Sequence, residues 1–400
     1  MVSDPGSLSQ PNPDPDRDPT RDPKGEPDLA REASLASTNP HSTASASGPE
    51  WLRGTGPSSD VVMSSRVRLA RNIAGCPFAS KATLRDRAHV LELCRSKLMD
   101  AGLAERLRWI DLHLAEPQDR MLLVERHLVS KPHAKGRTID GRAASDEPRA
   151  VVYSVPDERL SIMINEEDHL RIQAIRTGLD LEQAWQDANA TDDRIEAHLD
   201  YAFSARLGYL TGCPTNVGTG LRMSVMLHLP SLRISGEIDK VRRACADMNL
   251  AVRGFYGEGS EALGDLYQVS NQTTLGVRES GVLEELQGQI IPKIVEYERV
   301  ALRDLINKRR LTIEDQVHRA HGLLQNARLL TTDEAMHALS VVRLGIVAGL
   351  ITGLDQARVN ALLLLIQPSH LQQAVKRELD QEQRRAGRAA LVRGELMRKS

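Results

Sequence analysis

Within ten residues, Cys213-Pro214-Thr215-Asn216-Val217-Gly218-Thr219-Gly220-Leu221-Arg222 gathers a thiol, a glycine-rich turn and an arginine. A sulfur able to act as a nucleophile or as a negative partner is kept near a cation that seeks phosphate. Glycines without a Cβ let backbone N–H groups approach an oxyanion closely. Alone, the stretch has a plainer reading, a small buried cysteine ahead of an ordinary turn. Other residues narrow the choice.

Arg66 and Arg68 stand two apart in a strand-like run, which puts two guanidinium groups on one face, where they repel unless an anion lies between them. A polyphosphate is such an anion, and Arg171, Arg222 and Arg253 would complete a cationic cradle. Taken singly, each arginine reads more readily as a solvated or salt-bridged surface residue; five at strand ends beside glycine-rich turns are harder to dismiss. Carboxylates oppose the cradle in two turns, Glu166-Glu167-Asp168 and Gly257-Glu258-Gly259-Ser260-Glu261, so that phosphate and a cationic acceptor can sit side by side. Cys213, if ionised by nearby arginines, adds a third negative group. Neither a Walker sequence nor Gly-x-Gly-x-x-Gly after a strand is present, and metal-ligand spacing is lacking. His127 and His133 are isolated, which suits a structural or nucleotide-contacting role, and a magnesium ion would arrive on nucleotide phosphates.

The elements that must position these residues show in the periodicity. Val61 to Leu69 alternates, with Val61, Met63, Val67 and Leu69 expected on one face and Ser64, Arg66 and Arg68 on the other. Leu160 to Ile164 runs apolar into Asn165 and the acidic turn. Leu221 to Leu229 alternates again, Leu221, Met223, Val225, Leu227 and Leu229 against Arg222, Ser224, Met226 and His228. Past Gly281 the pattern turns helical: Thr331-Thr332-Asp333-Glu334 reads as a capping box opening a helix through Leu350, and Thr312-Ile313-Glu314-Asp315 as the start of another. The last twenty-five residues read as a basic helix.

Residues 1–50 hold nine of the 19 prolines and are expected to be a disordered tail; 51–280 reads as an α+β catalytic domain, an antiparallel sheet flanked by helices, and 281–400 as an all-helical domain. The tail carries nine acidic and four basic residues, so the chain's formal −2 leaves the remainder near +3. That balance, with 3% aromatics, gives no case for nucleic-acid binding. Four scattered cysteines, the lack of a membrane-length apolar run and the lack of a secretion signal point to the cytoplasm.

At these positions the sequence resembles the phosphagen kinase superfamily, most closely the McsB-type protein arginine kinases. The resemblance rests on Ser64-Ser65-Arg66-Val67-Arg68-Leu69-Ala70-Arg71-Asn72, Glu125-Arg126-His127-Leu128, Asn165-Glu166-Glu167-Asp168-His169-Leu170-Arg171-Ile172-Gln173, the Cys213 to Arg222 stretch, and Arg253-Gly254-Phe255-Tyr256-Gly257-Glu258-Gly259-Ser260-Glu261-Ala262. It runs from about 55 to the C-terminus. It implies ATP-binding roles for Ser64, Arg66, Arg68, His127, Arg171, Arg222 and Arg253, guanidine-binding and catalytic roles for Glu167, Glu258 and Cys213, and an assisting role for Glu166 beside metal or substrate. The cofactors it implies are ATP and Mg2+.

The implied reaction carries the γ-phosphoryl group of ATP to the guanidinium nitrogen of protein arginine side chains, marking them for a Clp-type protease. Small-molecule members of the superfamily have a helical domain of about a hundred residues ahead of the Ser-x-Arg-x-Arg strand. Only sixty residues precede it here, so a more open site is expected. The family's C-terminal domain binds phosphoarginine through Arg-Asp-x-x-Arg-Ala; the matching segment is Arg384-Arg385-Ala386-Gly387-Arg388-Ala389, where Arg385 replaces the acidic position and Gly387 weakens the helix, leaving a plain basic helix as the alternative to phosphoarginine binding by Arg384 and Arg388. Partners implied are proteins with exposed arginine, a small zinc-binding activator, a Clp-type unfoldase and a second copy of the chain. Two rivals stand beside this reading: a kinase for free arginine or another small guanidine, and a non-catalytic phosphoarginine-binding adaptor.

Overall fold

The protein is described here by a computed structural model covering residues 49–136, 138–139, 142–143, 146–255, 263–375 and 378–397, the side chains of 138–139 and 142–143 excepted. All but the last two residues of the expected tail lie outside that description, as does Glu258.

Alternating apolar residues build one eight-stranded antiparallel sheet: β1 (Val62–Arg71), β2 (Leu107–Asp111), β3 (Ala150–Ser154), β4 (Leu160–Ile164), β5 (Leu170–Thr177), β6 (Leu221–His228), β7 (Leu250–Arg253) and β8 (Leu266–Asn271), in the order β7-β8-β6-β1-β5-β4-β3-β2. The helices that matter for the site are α1 (Leu84–Asp100), α2 (Pro117–Glu125), α3 (Leu181–Glu196), α4 (Ile291–Asn326), α5 (Thr332–Val347), α6 (Gln356–Leu365), α7 (Pro368–Val375) and α8 (Gln381–Met397). No described helix is long and apolar enough to cross a membrane.

One sheet face is sealed. Leu221, Met223, Val225 and Leu227 of β6 join Val67, Leu69 and Ile172 beneath Val90, Cys94 and Leu98 of α1 and Ala184, Ala188 and Ile195 of α3. The opposite face carries two smaller cores and a polar remainder; in one of them Val151, Tyr153 and Met163 pack with Leu123 and Val124 of α2 and with Leu128. Met63, Ile175, Met226, Phe255 and Leu266 pack with Trp51 into a second core built from the C-terminal helices, including Val317, Leu339, Val359, Leu371 and Val392. The polar remainder of that face is left uncovered by this core.

Two expectations need correction. Met63 leaves the Val61 face because the β1–β6 register shifts between Val62 and Ser64, a bulge whose extra residue reverses the side-chain alternation. Thr312-Ile313-Glu314-Asp315 lies just past a break in α4 at Arg309 (φ −140°, ψ 34°), so a second helical stretch does begin close to it, but ahead of Thr312 rather than at it, and buried Ile313 and Val317 lie on that stretch. The other box is real. Thr331 Oγ1 accepts the Glu334 N–H at 3.1 Å while the Glu334 carboxylate accepts the Thr331 N–H at 2.9 Å, and the helix ends at Val347, three residues before Leu350.

The helical run begins at Glu279, but its first part still serves the sheet. Val282, Leu286, Ile290, Ile294 and Ala301 belong to the sealed core, whereas Leu305 and later residues belong to the second.

Candidate active site

Antiparallel pairing sets the cradle. Arg68 lies opposite Arg222 on β6 and Gln173 on β5; one row along, Arg66 lies opposite Ser224 and Ile175. Directly paired residues share a face, so Arg66, Arg68 and Arg222 project together on the uncovered part of the sheet. Arg171 comes from the start of β5, opposite Ala70, and Arg253 from the end of β7, opposite Gln268. All five line a single cavity of about 620 Å³.

The cluster is short of negative charge. Burial first, then Arg222, Arg171 and Arg253, pull the Arg66 guanidinium down to about 10, and burial with Arg66 as the next cause pulls Arg68 well below its ordinary value. Arginine hardly ever gives up its proton, so these directions express how strongly the site favours an anion. Arg66 Nε reaches only the Ser224 hydroxyl, at 3.4 Å, and the buried Arg68 Nε has no hydrogen-bond partner. An orphaned guanidinium N–H in a cationic cavity fits a phosphate oxygen.

At the other end of the cavity the carboxylates meet Arg171. Its guanidinium bonds Glu166 Oε2 and Glu167 Oε2, each at 2.8 Å, with Asp168 Oδ2 at 3.8 Å. Burial lowers Arg171, yet Glu166, Asp168 and Glu167 outweigh it and raise the guanidinium above its usual value. Burial pushes Glu166 up, but Arg171, His133 and the Ser130 hydroxyl, which donates to Glu166 Oε1 at 2.7 Å, hold the carboxyl below its usual range. Glu167 is exposed.

Asp168, named in the sequence only as part of the turn, is what fixes that turn beside Cys213. Its Oδ1 accepts from Gly212 N–H at 2.6 Å and from Asn72 Nδ2 at 2.7 Å, and Asn72 Oδ1 in turn accepts the His169 N–H at 2.9 Å. A Cβ on Gly212 would meet Glu167 O at 2.7 Å, so the two loops approach backbone to backbone. Cys213 is half-buried at the cavity wall, Sγ 3.0 Å from Thr215 Oγ1. The glycines beyond it shape the chain: Gly220 has φ +65°, and a Cβ there would lie 2.6 Å from Ala70 O.

His127 lines the cavity behind Arg66, with φ +60° and its ring edge-on to Trp51 (5.0 Å between centroids) and Phe255 (4.9 Å). Burial, with Arg66 adding to it, takes its imidazole down to about 3, so it is neutral. Ser64 shares the Arg66 face but borders a smaller recess with Trp51 and Met226 rather than the main cavity. His133 is buried, Nε2 3.1 Å from Ala150 O. Gln173, Gln268, Asn165, Ser130 and Thr215 also line the cavity and were not singled out from sequence, although Gln173 lies two residues after Arg171 in a strand, the spacing that flags Arg66 and Arg68. In α8, Arg388 is buried and donates to Ile366 O and Leu330 O, each at 2.8 Å, while Arg384 donates to Leu379 O at 2.5 Å.

The described residues hold no group of three or more His, Cys, Asp or Glu arranged for a metal. The donor set suits a magnesium carried by nucleotide oxygens and water, with Glu166 and Glu167 as the nearby carboxylates.

Residues 89–301 match the family described as ATP:guanido phosphotransferase, C-terminal catalytic domain, and residues 310–400 match the protein-arginine kinase McsB C-terminal domain; the gap between them falls where α4 changes cores. The protein-arginine kinase of Symbiobacterium thermophilum is 42% identical over 349 residues, 86% of this chain and 96% of that protein. The protein-arginine kinase of Halalkalibacterium halodurans is 43% identical over 347 residues, 86% and 94% of the two chains. Among solved structures, lombricine kinase superposes with a TM-score of 0.50 at 25% identity, covering 63% of this chain and 71% of that one. The duplicated taurocyamine kinase of Schistosoma mansoni, with transition state analog components bound, gives 0.52 at 27%, covering 61% and 33%.

Proposed function

The chain belongs to the ATP:guanido phosphotransferases, in their protein-arginine kinase branch, and we propose that it transfers the γ-phosphoryl group of ATP to a guanidinium nitrogen of arginine side chains in proteins. The observation that carries this reading is the cavity itself, with Arg66, Arg222 and Arg253 beside an orphaned Arg68 Nε at one end and Glu166 and Glu167 holding Arg171, with Cys213, at the other.

Arg66, Arg68, Arg222 and Arg253 are read as holding the nucleotide phosphates, with His127 and Ser64 behind them. Phosphoryl transfer asks mainly for in-line placement and charge stabilisation, which a fixed cationic face supplies. The acceptor guanidinium is a poor nucleophile while protonated. Glu167 already grips one guanidinium, that of Arg171 at 2.8 Å, in the charge-assisted manner the substrate needs. In the reaction Glu167, with Glu258 from the segment outside the described residues, orients the substrate. One carboxylate takes a guanidinium proton as the N–P bond forms, the P–O bond to the β-phosphate breaks and ADP leaves. Glu166 keeps Arg171 in place, and the Cys213 sulfur at the cavity wall is the group that would offset positive charge on the acceptor. Magnesium, when bound with the nucleotide, shields phosphate charge.

The helical region from about 281 is read as an interaction domain, with Arg384 and Arg388 as a phosphoarginine site. The backbone bonds already made by Arg388 leave Arg384 as the more available of the two. We place the protein in the cytoplasm as a homodimer or larger oligomer, working with a zinc-binding activator and a Clp-type unfoldase that receives the marked proteins.

Incubation with Mg-ATP and a mixed protein pool, and separately with free arginine, followed by mass spectrometry for acid-labile phosphoarginine, tests the reading. Protein phosphoarginine absent from a Glu167→Gln control is expected. Turnover confined to free arginine would favour the small-guanidine rival, and phosphoarginine-peptide binding without any turnover the adaptor.

A further inference from the structure

The buried carboxylate of Glu125 joins two parts of the fold that the reaction scheme treats separately. It ends α2, two residues before His127, and caps the first turn of α7 in the C-terminal region. Oε1 accepts the Ser369 N–H at 2.9 Å; Oε2 accepts the His370 N–H at 3.0 Å and lies 2.8 Å from His370 Nδ1. Glu125, Ser369 and His370 are all buried. A carboxylate at a helix N-terminus holding three such contacts is costly to disturb.

The chain just beyond Glu125 is under constraint. Arg126 pairs with Glu158, Nε to Oε2 at 3.0 Å; His127 takes a left-handed φ of +60°; and its carbonyl accepts from Gln173 Nε2 at 2.8 Å. Gln173 is the residue opposite Arg68. On the far side the His127 ring meets Trp51 and Phe255, which share a core with Leu371 of α7. The C-terminal helices thus reach His127 by two routes, through a carboxylate on one side and through an aromatic wedge on the other.

We propose that Glu125 is a positioning residue, through which the seating of α7 sets the His127 end of the nucleotide cavity. Nucleotide affinity then depends on the C-terminal region even though none of its described residues lines the cavity. The inference rests on reading the cavity as an ATP site.

The test uses the full chain carrying Glu125→Ala, Glu125→Gln or His370→Ala, with Kd for Mg-ATP measured by calorimetry in the absence of any protein substrate, alongside kcat, the two KM values and Tm. Glu125→Ala is expected to weaken Mg-ATP binding about tenfold or more. Glu125→Gln, whose carboxamide oxygen still accepts an N–H, should recover part of that loss, and His370→Ala, which keeps both backbone donors, about threefold weakening. KM for protein substrate should stay within about twofold of wild type. If Glu125→Ala does not fold, the other two variants decide. Folded variants with lowered Tm but wild-type affinity for Mg-ATP would overturn the proposal and leave Glu125 a plain structural tie. A wild-type protein that binds Mg-ATP yet makes no phosphoarginine would sink the activity reading while the affinities still judge the role of Glu125.

Discussion

Arg68 and Arg222 stand directly opposite one another across the ladder between β1 and β6. Like charges at such a pair destabilise a sheet, and here Arg68 Nε is also buried without an acceptor. The sheet therefore holds a repulsion that a polyanion relieves. The same strands that form the sealed core on one face carry that strain on the other.

Arg68→Met should remove the repulsion along with the proposed phosphate contact. Without nucleotide its Tm is expected to rise by about 2 °C. Wild type should gain about 2.7 kcal/mol of stability at Mg-ATP a hundredfold above Kd, and the variant almost none. Thermal scans with and without Mg-ATP check both; a variant less stable than wild type without nucleotide would contradict the account of the pair.

Glu167→Gln should separate binding from chemistry. The side chain holds Arg171 at 2.8 Å, so neutralising it frees part of that guanidinium for phosphate. Affinity for Mg-ATP is expected to hold or tighten while kcat drops by about a hundredfold or more. Single-turnover rates and nucleotide calorimetry on one preparation distinguish this from a general loss of structure.

Cys213→Ser replaces an ionisable thiol with a hydroxyl that stays neutral near pH 7. A loss of about a hundredfold in rate is expected, with unchanged KM for ATP. Mass spectrometry of quenched wild-type reactions should find no phospho-cysteine. A trapped covalent adduct at Cys213 would restore the nucleophile reading.

Glu298, buried on α4 and accepting the Ser231 and Leu232 N–H groups at 2.7 and 3.0 Å, is pushed up by burial from 4.5 to about 7. A carboxyl with a higher pKa folded than unfolded binds more protons in the native state. Its contribution is full below about pH 4.5 and declines as pH rises through about 7. Glu298→Gln should flatten that part of the stability profile, by about 3 kcal/mol at most between pH 5 and 8. Urea unfolding of both proteins across the range measures the difference.

Much of the fold is legible in the sequence because alternation is local. The faces of Leu221 to His228 come from period two, and Thr331 with Glu334 announces a helix start by chemistry contained in four residues. Met63 escapes that reading because a bulge is a property of the pairing with β6, which a single strand does not display. Thr312 places a helix start close to where one occurs but not at it, because the break falls at Arg309, ahead of the cap-like run. The site arginines can be named from type and spacing. Their partners cannot: Arg171 is held by three carboxylates, and Asp168 anchors its turn through Asn72 and Gly212, 96 and 44 residues away.

The sequence by itself determined which residues are available for chemistry, their alternation along strands, and the family resemblance that orders them. Only the tertiary structure decided that Arg68 meets Arg222, that Glu125 meets His370 across 245 positions, and that the C-terminal helices cover one part of a sheet face but not the part that carries the arginines. The physical reason is that side-chain period is set by each residue's neighbours in the chain, whereas charge pairing and burial are set by register and by packing between distant segments.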